Sequence, residues 1–310
     1  MKHDLLQIGS FPANLQTLIN EQFTCHEWEA VEAAPKLRET IRGIITRSNF
    51  VVPEAVIEAL PSLGVIATCG VGYDLIPLEL AARRGIRVAN TPDVLNSAVA
   101  ELTIGLVLSV LRRLPRADGF VKSGEWNKQA FPLSTSLAGK RVGIVGLGRI
   151  GKEIAARLEP FGVSIAYFGR SRQDVAWTYE ADLAALAGSS DLLILAAPGG
   201  AGTRHMINAE ILRALGSQGY LINIARGSLV DEEALLAALN DGTIAGAGLD
   251  VFENEPAIDP RFFELDNAVL TPHIGSATNE TRLTMVNLTL ANLGQYFENG
   301  TIRTPVPLPA

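Results

Sequence analysis

Three residues suited to acid–base chemistry, Arg226, Glu255 and His273, each follow a short apolar segment in the second half of the chain. The apolar segments predict β-strands, and Gly or Pro brackets the turns after them. Because the carboxyl ends of parallel strands meet at one edge of a sheet, the three side chains are expected to converge there. Arg can bind a carboxylate and polarise an adjacent carbonyl, His can exchange a proton with the carbonyl oxygen, and Glu can orient the imidazole and favour its charged form.

Each of these residues also has a structural interpretation when it is taken alone. A single His in a Pro-His turn is more often structural than catalytic, and a single Arg after a strand is often a surface cation. Their recurrence at three successive strand ends favours the functional interpretation. His3, His26 and His205 lack that context and are expected to be surface or packing residues. The sequence shows neither metal-ligand spacings nor a Gly-x-Ser-x-Gly motif, so we expect no metal and no serine-hydrolase chemistry.

A glycine-rich turn near the middle of the chain predicts a dinucleotide site. The apolar segment 142–145 runs into Gly146, Gly148 and Gly151, and a predicted helix follows over residues 152–161. In this motif the first glycine permits the tight turn, the second lets the backbone approach a pyrophosphate, and the third lets helix and strand pack closely. The strand–turn–helix context makes the motif a strong indication, whereas the glycine pattern alone is weak.

The end of the next predicted strand indicates which dinucleotide. In NAD-binding versions an acidic residue near that point accepts a hydrogen bond from the ribose 2′-hydroxyl. Here the turn reads Arg170, Ser171 and Arg172, and the first acidic residue is Asp174. Guanidinium groups can pair with a 2′-phosphate, which a carboxylate would repel. The alternative is that both Arg residues are solvated turn residues. We therefore predict that NADP(H) is preferred and that NAD(H) remains possible.

Strand and helix signals alternate through most of the chain, which predicts an α/β fold with parallel sheets. The pattern gives two doubly wound units, a Rossmann dinucleotide-binding domain over residues 97–283 and a discontinuous substrate domain over residues 1–96 and 284–310. A cleft between two such domains is the expected ligand site. The predicted strands are 5–8, 41–46, 65–68, 86–89, 142–145, 164–168, 192–196, 220–224, 244–249 and 268–270, and a last amphipathic helix is predicted over 278–298.

Composition narrows the class of protein further. The chain has 310 residues and a net charge of −7, which argues against nucleic acid as a partner. It has two cysteines, Cys25 and Cys69, too few for a disulfide framework, so a reduced cytoplasmic setting is expected. The most apolar window, residues 102–111, is short for a membrane span and ends in two Arg residues. We therefore expect a globular protein without a membrane segment.

Several motifs in order make the chain similar to the D-isomer-specific 2-hydroxyacid dehydrogenases, with the NADPH-preferring glyoxylate/hydroxypyruvate reductases as the most similar subgroup. The resemblance extends over about residues 64–299. It implies a Rossmann domain, a flavodoxin-like substrate domain, a homodimer, and NADPH-dependent reduction of small 2-oxo acids such as glyoxylate and hydroxypyruvate. The matching motifs are residues 70–74, 90–95, 146–151, 225–227, 249–252 with 255–256, and 271–275.

The resemblance also implies roles for individual residues. Arg226 would bind the substrate carboxylate and carbonyl, and His273 would be the general acid, supported by Glu255. The amides of Val71 and Gly72 would help to hold the carboxylate, with Ser276 near the substrate. The implied cofactor contacts are Gly146, Gly148 and Gly151 in the glycine turn, Arg149 and Ile150 at the pyrophosphate, Arg170, Ser171 and Arg172 at the 2′-phosphate, Asp250 at the nicotinamide, and Ala197, Pro198, Ala225, His273 and Gly275.

Some features depart from the family pattern or leave the function open. Segment 196–203 is richer in Gly than the family's Leu-Thr-Pro form. The sequence of loop 124–131 does not indicate which substrate is bound. Glu255 argues against formate dehydrogenases, which have Gln at that position. One alternative is a dehydrogenase for a bulkier or phosphorylated 2-hydroxy acid, although the loop after residue 70 offers no nearby Lys or Arg for a phosphate. A less favoured alternative is a dinucleotide-sensing binding protein, because corepressors with this fold can keep the same Arg, Glu and His.

Overall fold

A computed structural model describes residues 2–309 and divides the chain into two compact units. The first unit contains residues 2–95 and 278–309, and the second contains residues 96–277. The boundary inferred from the sequence, between residues 283 and 284, falls inside the last helix. The whole of that helix belongs to the first unit, because its contacts are with a strand and a helix of that unit.

The secondary structure consists of parallel strands that alternate with helices. The strands are β1 (His3–Ile8), β2 (Phe23–His26), β3 (Gly43–Arg47), β4 (Val65–Cys69), β5 (Arg87–Ala89), β6 (Arg141–Val145), β7 (Ser164–Phe168), β8 (Thr178–Glu180), β9 (Leu192–Leu195), β10 (Tyr220–Asn223), β11 (Gly246–Leu249) and β12 (Ala268–Leu270). The helices are α1 (Ala13–Gln22), α2 (Trp28–Glu32), α3 (Pro35–Thr40), α4 (Glu54–Glu58), α5 (Leu78–Arg83), α6 (Asn96–Arg112), α7 (Leu114–Lys122), α8 (Arg149–Leu158), α9 (Leu183–Gly188), α10 (Ala209–Leu215), α11 (Glu232–Asn240) and α12 (Asn279–Asn299).

The first unit is built on a five-stranded sheet in the order β2-β1-β3-β4-β5, with all neighbours parallel. This is the flavodoxin-like order. The central strands β3 and β4 are buried almost throughout, as expected of parallel strands covered on both faces. Helix α12 packs on β4, and Pro305 forms an antiparallel bridge with Ala89. The end of the chain therefore completes the layer structure that its beginning starts.

The second unit is built on a seven-stranded sheet in the order β12-β11-β10-β9-β6-β7-β8. Numbered within the unit, this is the Rossmann order 3-2-1-4-5-6 with β12 as a seventh strand. Strands β6 and β9 are adjacent, which places the topological switch point between them. Ligands of such sheets bind beyond the carboxyl ends of the strands at this point. The predicted fold class, two doubly wound parallel α/β domains, is confirmed.

Several short or polar elements were not predicted from the sequence, namely β2, β8, α2, α3, α7 and α9. The edge strand β8 has no fully buried residue and neither has α7, so they lack the apolar signal on which the prediction depended. Helix α8 begins at Arg149, three residues before the predicted start, because the glycine turn leads directly into the first helical turn. None of the helices in residues 2–309 combines the length and apolar character needed to cross a membrane.

Candidate active site

The turn that carries Arg226 is closed by Asn223, the last residue of β10. The Asn223 side chain is 1% exposed; its Nδ2 donates to the carbonyl of Arg226 at 2.9 Å, and its Oδ1 accepts from the amide of Ala225 at 3.1 Å. A Cβ added to Gly227 would lie 1.9 Å from the carbonyl carbon of Phe252. The turn therefore lies directly against the segment that follows β11, and this close approach requires glycine at 227.

Glu255 and His273 form a hydrogen-bonded pair. Oε2 of Glu255 lies 2.6 Å from Nδ1 of His273, and Oε1 accepts from the amide of Phe252 at 2.9 Å. The two side chains are 24% and 30% exposed. Burial alone would raise the pKa of Glu255, but the hydrogen bond and charge of His273, the Phe252 amide and the charge of Arg226 lower it below its usual range. Glu255 is therefore an ionised acceptor that fixes the ring and leaves Nε2 for proton exchange.

Asp250 anchors the loop that carries His273. It is 1% exposed; Oδ1 accepts from Thr271 Oγ1 at 2.6 Å and from the amide of Ile274 at 2.8 Å, and Oδ2 accepts from the amide of Gly275 at 2.8 Å. Burial raises the pKa of Asp250, and these hydrogen bonds offset the effect only in part. The amide of His273 donates to the Asp250 carbonyl at 2.9 Å. Asp250 thus fixes the backbone on both sides of His273, whose φ of 52° lies in the left-handed region.

The three strands that precede these residues are neighbours in the sheet. Strand β11 pairs with β10 on one side and with β12 on the other, all in parallel register. Arg226, Glu255 and His273 therefore follow the carboxyl ends of three adjacent strands, and the charge of Arg226 contributes to the lowered pKa of Glu255. Such a group can bind an anion with one member and exchange a proton with another.

The glycine turn after β6 has the geometry needed to hold a pyrophosphate. Gly146 has a φ of +95°, and a Cβ there would lie 2.7 Å from the backbone of Ala197. A Cβ on Gly151 would lie 2.3 Å from the Gly146 carbonyl oxygen. At Gly148, the N-cap of α8, a Cβ would meet nothing within 4 Å, and no side chain caps the helix. The turn therefore presents uncapped helix amides beside open space, which suits a phosphate group.

The turn after β7 presents the residues expected at a 2′-phosphate. Arg170, Ser171 and Arg172 are all exposed. Within residues 2–309 their side chains make no hydrogen bond or ion pair, and they lie in a turn whose start, Phe168, accepts from the amide of Gly146 at 2.9 Å. The backbone at the start of this turn therefore contacts the glycine turn, and the exposed guanidinium groups are available for a charged ligand.

The comparisons with known proteins place the chain in a family. The profile described as "D-isomer specific 2-hydroxyacid dehydrogenase, NAD binding domain" matches residues 104–275. A 2-ketogluconate reductase of Gluconobacter oxydans is 45% identical over 98% of this chain and 99% of its own length. The chain belongs to the D-isomer-specific 2-hydroxyacid dehydrogenases. It is an oxidoreductase that interconverts 2-oxo acids and 2-hydroxy acids.

Other members of the family are similarly close to this dehydrogenase. The glyoxylate/hydroxypyruvate reductase A of Arabidopsis thaliana is 45% identical over 87% of this chain and 86% of its own length. The crystal structure of an NADPH-dependent glyoxylate/hydroxypyruvate reductase from Sinorhizobium meliloti, in complex with NADP and malonate, has a TM-score of 0.93 and 44% identity, and covers 100% of this chain and 99% of that one. The similarity therefore includes both units of the dehydrogenase.

The remaining predicted site residues of the dehydrogenase lie in two places. In the first unit, Val71 and Gly72 follow β4, where the Asn90 side chain donates to the Val71 carbonyl at 2.8 Å. In the second unit, Ser276 is half-buried in the turn directly before α12, and Ala225 is buried beside Arg226. Pro198 lies in the Gly-rich segment after β9, where its carbonyl accepts from Thr203 Oγ1 at 2.8 Å.

Some residues that shape the site of the dehydrogenase were not found from the sequence. Glu232 accepts from the amide of Glu253 at 2.7 Å, and burial raises the pKa of Glu232. The Glu253 carboxylate in turn binds Arg204 at 2.6 Å and His205 at 3.2 Å. These contacts tie the segment that follows β11 to α11 and to the segment after β9. The only sequence signal was acidic residues beside Glu255, which are equally typical of a solvated loop.

Proposed function

We propose that this dehydrogenase reduces small 2-oxo acids, glyoxylate and hydroxypyruvate above all, to 2-hydroxy acids with NADPH. The observation that carries the proposal is the hydrogen-bonded Glu255–His273 pair within electrostatic range of Arg226, at the ends of three adjacent strands. This constellation provides a carboxylate-binding cation and a proton donor in the same domain as a dinucleotide turn. A 2-oxo acid needs both groups at adjacent atoms.

The chemistry divides between the cofactor and the chain. The nicotinamide, when bound, supplies the hydride that reaches the carbonyl carbon. Arg226 binds the carboxylate and polarises the carbonyl, which orients the substrate. His273 gives a proton to the carbonyl oxygen from Nε2, while Nδ1 stays bound to Glu255. The Glu255 carboxylate holds the ring in place during the transfer through its hydrogen bond to Nδ1.

The cofactor proposal rests on the two turns of the second unit. Gly146, Gly148 and Gly151 would admit the pyrophosphate at the start of α8, with Arg149 and Ile150 in the first turn of that helix. Arg170, Ser171 and Arg172 would bind the 2′-phosphate, which distinguishes NADPH from NADH. The Sinorhizobium meliloti reductase is described as NADPH-dependent and was crystallised with NADP, which supports the same preference here. Use of NADH at lower efficiency remains compatible with these residues.

The substrate side of the proposal involves both units. In this proposal the unit of residues 96–277 is the dinucleotide domain, and the unit of residues 2–95 and 278–309 is the substrate domain. As the family resemblance implies, the amides of Val71 and Gly72 would help to bind the substrate carboxylate, and Ser276 would lie near the substrate. Asp250, beyond its loop contacts, would border the nicotinamide, and Gly275 would contact the cofactor. Family resemblance supports a cytoplasmic homodimer, which light scattering of the purified protein would test.

A bulkier 2-oxo acid is the second candidate substrate. Two relatives favour it, the Gluconobacter oxydans 2-ketogluconate reductase and a hydroxyphenylpyruvate reductase of Plectranthus scutellarioides that is 46% identical over 86% of this chain. Both names describe substrates with a larger group beside the 2-oxo acid. The acid–base residues would act in the same way on these compounds. Only the space available to the larger group of the substrate distinguishes the candidates.

A substrate panel tests the proposal directly. NADPH oxidation is measured with glyoxylate, hydroxypyruvate, 2-ketogluconate and hydroxyphenylpyruvate, and each assay is repeated with NADH. The proposal predicts the highest kcat/KM for glyoxylate or hydroxypyruvate with NADPH. A higher value for either bulky acid would establish the second candidate, and a clear preference for NADH would refute the cofactor proposal. Binding of NADPH without turnover of any of these acids would refute the substrate proposal.

A further inference from the structure

The turn that carries Arg170, Ser171 and Arg172 is held at both ends by tyrosine hydroxyl groups. Tyr179 donates from its hydroxyl to the carbonyl of Gly169 at 3.2 Å. At the other end, the amide of Gln173 donates to the hydroxyl of Tyr167 at 2.7 Å. The three exposed residues therefore lie between two anchored backbone positions.

The two tyrosines form a cross-strand pair in the sheet. Tyr167 on β7 and Tyr179 on β8 are direct partners in the parallel register, and their ring centroids lie 5.4 Å apart at an interplanar angle of 48°. Tyr167 is fully buried and is the largest of the fully buried side chains. A buried ring can move little, so its hydroxyl is a fixed point for the backbone above it.

The same turn is joined to the glycine turn by Gln173. The Gln173 side chain donates from Nε2 to the carbonyl of Leu147 at 2.8 Å, and Leu147 lies between the first two glycines of the motif. The backbone of the turn is thus fixed relative to the start of α8. A dinucleotide bound at both turns needs them at a separation that matches the distance between its pyrophosphate and its ribose.

We propose that Tyr167 and Tyr179 are positioning residues that set the selectivity of this enzyme for NADPH over NADH. The inference rests on the proposed function, because it takes Arg170 and Arg172 as the ligands of the 2′-phosphate. Long, exposed Arg side chains lose conformational freedom when they bind a phosphate. Ordering the backbone of the turn on binding would add to that loss. A backbone already fixed at Gly169 and Gln173 avoids this addition. NADH has no 2′-phosphate, so its affinity does not depend on the order of this turn.

The test removes one hydroxyl at a time and measures binding rather than turnover. Tyr179→Phe and Tyr167→Phe keep the paired rings, and Arg170→Ala removes a direct ligand. Tyr220→Phe is the matched control, because its hydroxyl bonds Thr135 at 3.1 Å in the same unit but away from this turn. Dissociation constants for NADP⁺ and NAD⁺ are measured by calorimetry, together with kcat at saturating NADPH. If Tyr167→Phe fails to fold, Tyr179→Phe alone decides the test. Tyr179 is only partly buried, so its substitution is better tolerated.

The expected result is a selective loss. Tyr179→Phe raises the dissociation constant of NADP⁺ by about fivefold, leaves that of NAD⁺ unchanged and leaves kcat at saturating NADPH unchanged. Arg170→Ala raises the NADP⁺ constant by about tenfold or more, and Tyr220→Phe changes neither constant. Equal weakening of both dinucleotides, or no change in either, in Tyr179→Phe would overturn the inference while leaving the cofactor proposal intact. An unchanged NADP⁺ constant in Arg170→Ala would instead refute the cofactor proposal.

Discussion

The glycine turn and the acid–base group of the second unit are built in opposite ways. The glycine turn is continuous in sequence and works because side chains are missing, at Gly146, Gly148 and Gly151. The acid–base group comes from three separate strand ends. Its proposed chemistry depends on side chains that hydrogen bonds hold in position. Glu255 fixes the His273 ring, and Asp250 fixes the loop beneath it.

This difference determines what a substitution does in each region. In the glycine turn an added methyl group changes either packing or ligand space, depending on which glycine receives it. In the acid–base group a lost functional group changes the rate, while the cofactor turn stays intact. The two regions should therefore separate experimentally into binding and stability effects on one side and rate effects on the other.

The largest loss, short of removing the acid itself, is expected at Arg226. Arg226→Gln should lower kcat/KM for glyoxylate by about 10²- to 10³-fold, because charge and bidentate hydrogen bonding to the substrate are both lost. The kcat/KM of Arg226→Lys should lie between those of Arg226→Gln and the wild type, since a point charge replaces the planar guanidinium group. Affinity for NADP⁺ should not change. An Arg226→Gln enzyme with wild-type kcat/KM would remove Arg226 from the mechanism.

Two glycine variants should break the cofactor turn in different ways. Gly148→Ala adds a methyl group where the protein has no atom within 4 Å, so stability should stay the same while the dissociation constant of NADP⁺ rises about tenfold or more. Gly151→Ala places a methyl group 2.3 Å from the Gly146 carbonyl oxygen and should lower the free energy of unfolding by about 1–3 kcal/mol. Urea denaturation and calorimetry measure the two effects. If the variants behaved alike, the separate functions of these glycines would be wrong.

The smallest expected effect is the pH dependence of stability that comes from Glu255. Burial opposes ionisation of this carboxyl, but His273, Phe252 and Arg226 favour it and lower its pKa. Its contribution is therefore fully present above the ordinary Glu value of about 4.3 and is lost as the pH falls through the lowered folded pKa. Compared with Glu255→Gln, the wild type should be more stable by ~1 kcal/mol at neutral pH.

That stability difference should disappear in acid, because the protonated Glu255 carboxyl of the wild type is then as uncharged as the amide that replaces it in Glu255→Gln. Urea denaturation of the two proteins at neutral pH and at pH values near and below 4 measures it. A constant difference across this range would show that charge on Glu255 does not stabilise the fold.

The parts of the site that depend on local sequence were the easiest to predict. The three glycines lie within six residues of one another, between a strand and a helix, and Arg226, Glu255 and His273 each follow an apolar strand. Asp182, which caps α9 by accepting from the amide of Ala185, gave a signal that could have revealed that helix.

Other parts could not be predicted because they depend on contacts between distant residues. The Asp250 side chain meets the amides of Ile274 and Gly275 only after β11 and β12 have paired, and nothing in the sequence indicates that contact. Tyr179 acts from β8, a three-residue edge strand of polar character that resembles a loop in sequence. The residues proposed to perform the chemistry were therefore visible in the sequence, and most of those that hold them in place were not.

The most direct test of the account is kcat/KM for glyoxylate and hydroxypyruvate with NADPH in His273→Ala, measured beside the dissociation constant of NADP⁺. The account predicts a loss of kcat/KM of about 10²- to 10⁴-fold, because the proton donor to the carbonyl oxygen is gone. It also predicts that NADP⁺ binding is weakened far less than kcat/KM, because the glycine turn does not depend on the imidazole. A His273→Ala enzyme with near-normal kcat/KM for both acids would contradict the assignment of His273 as the general acid.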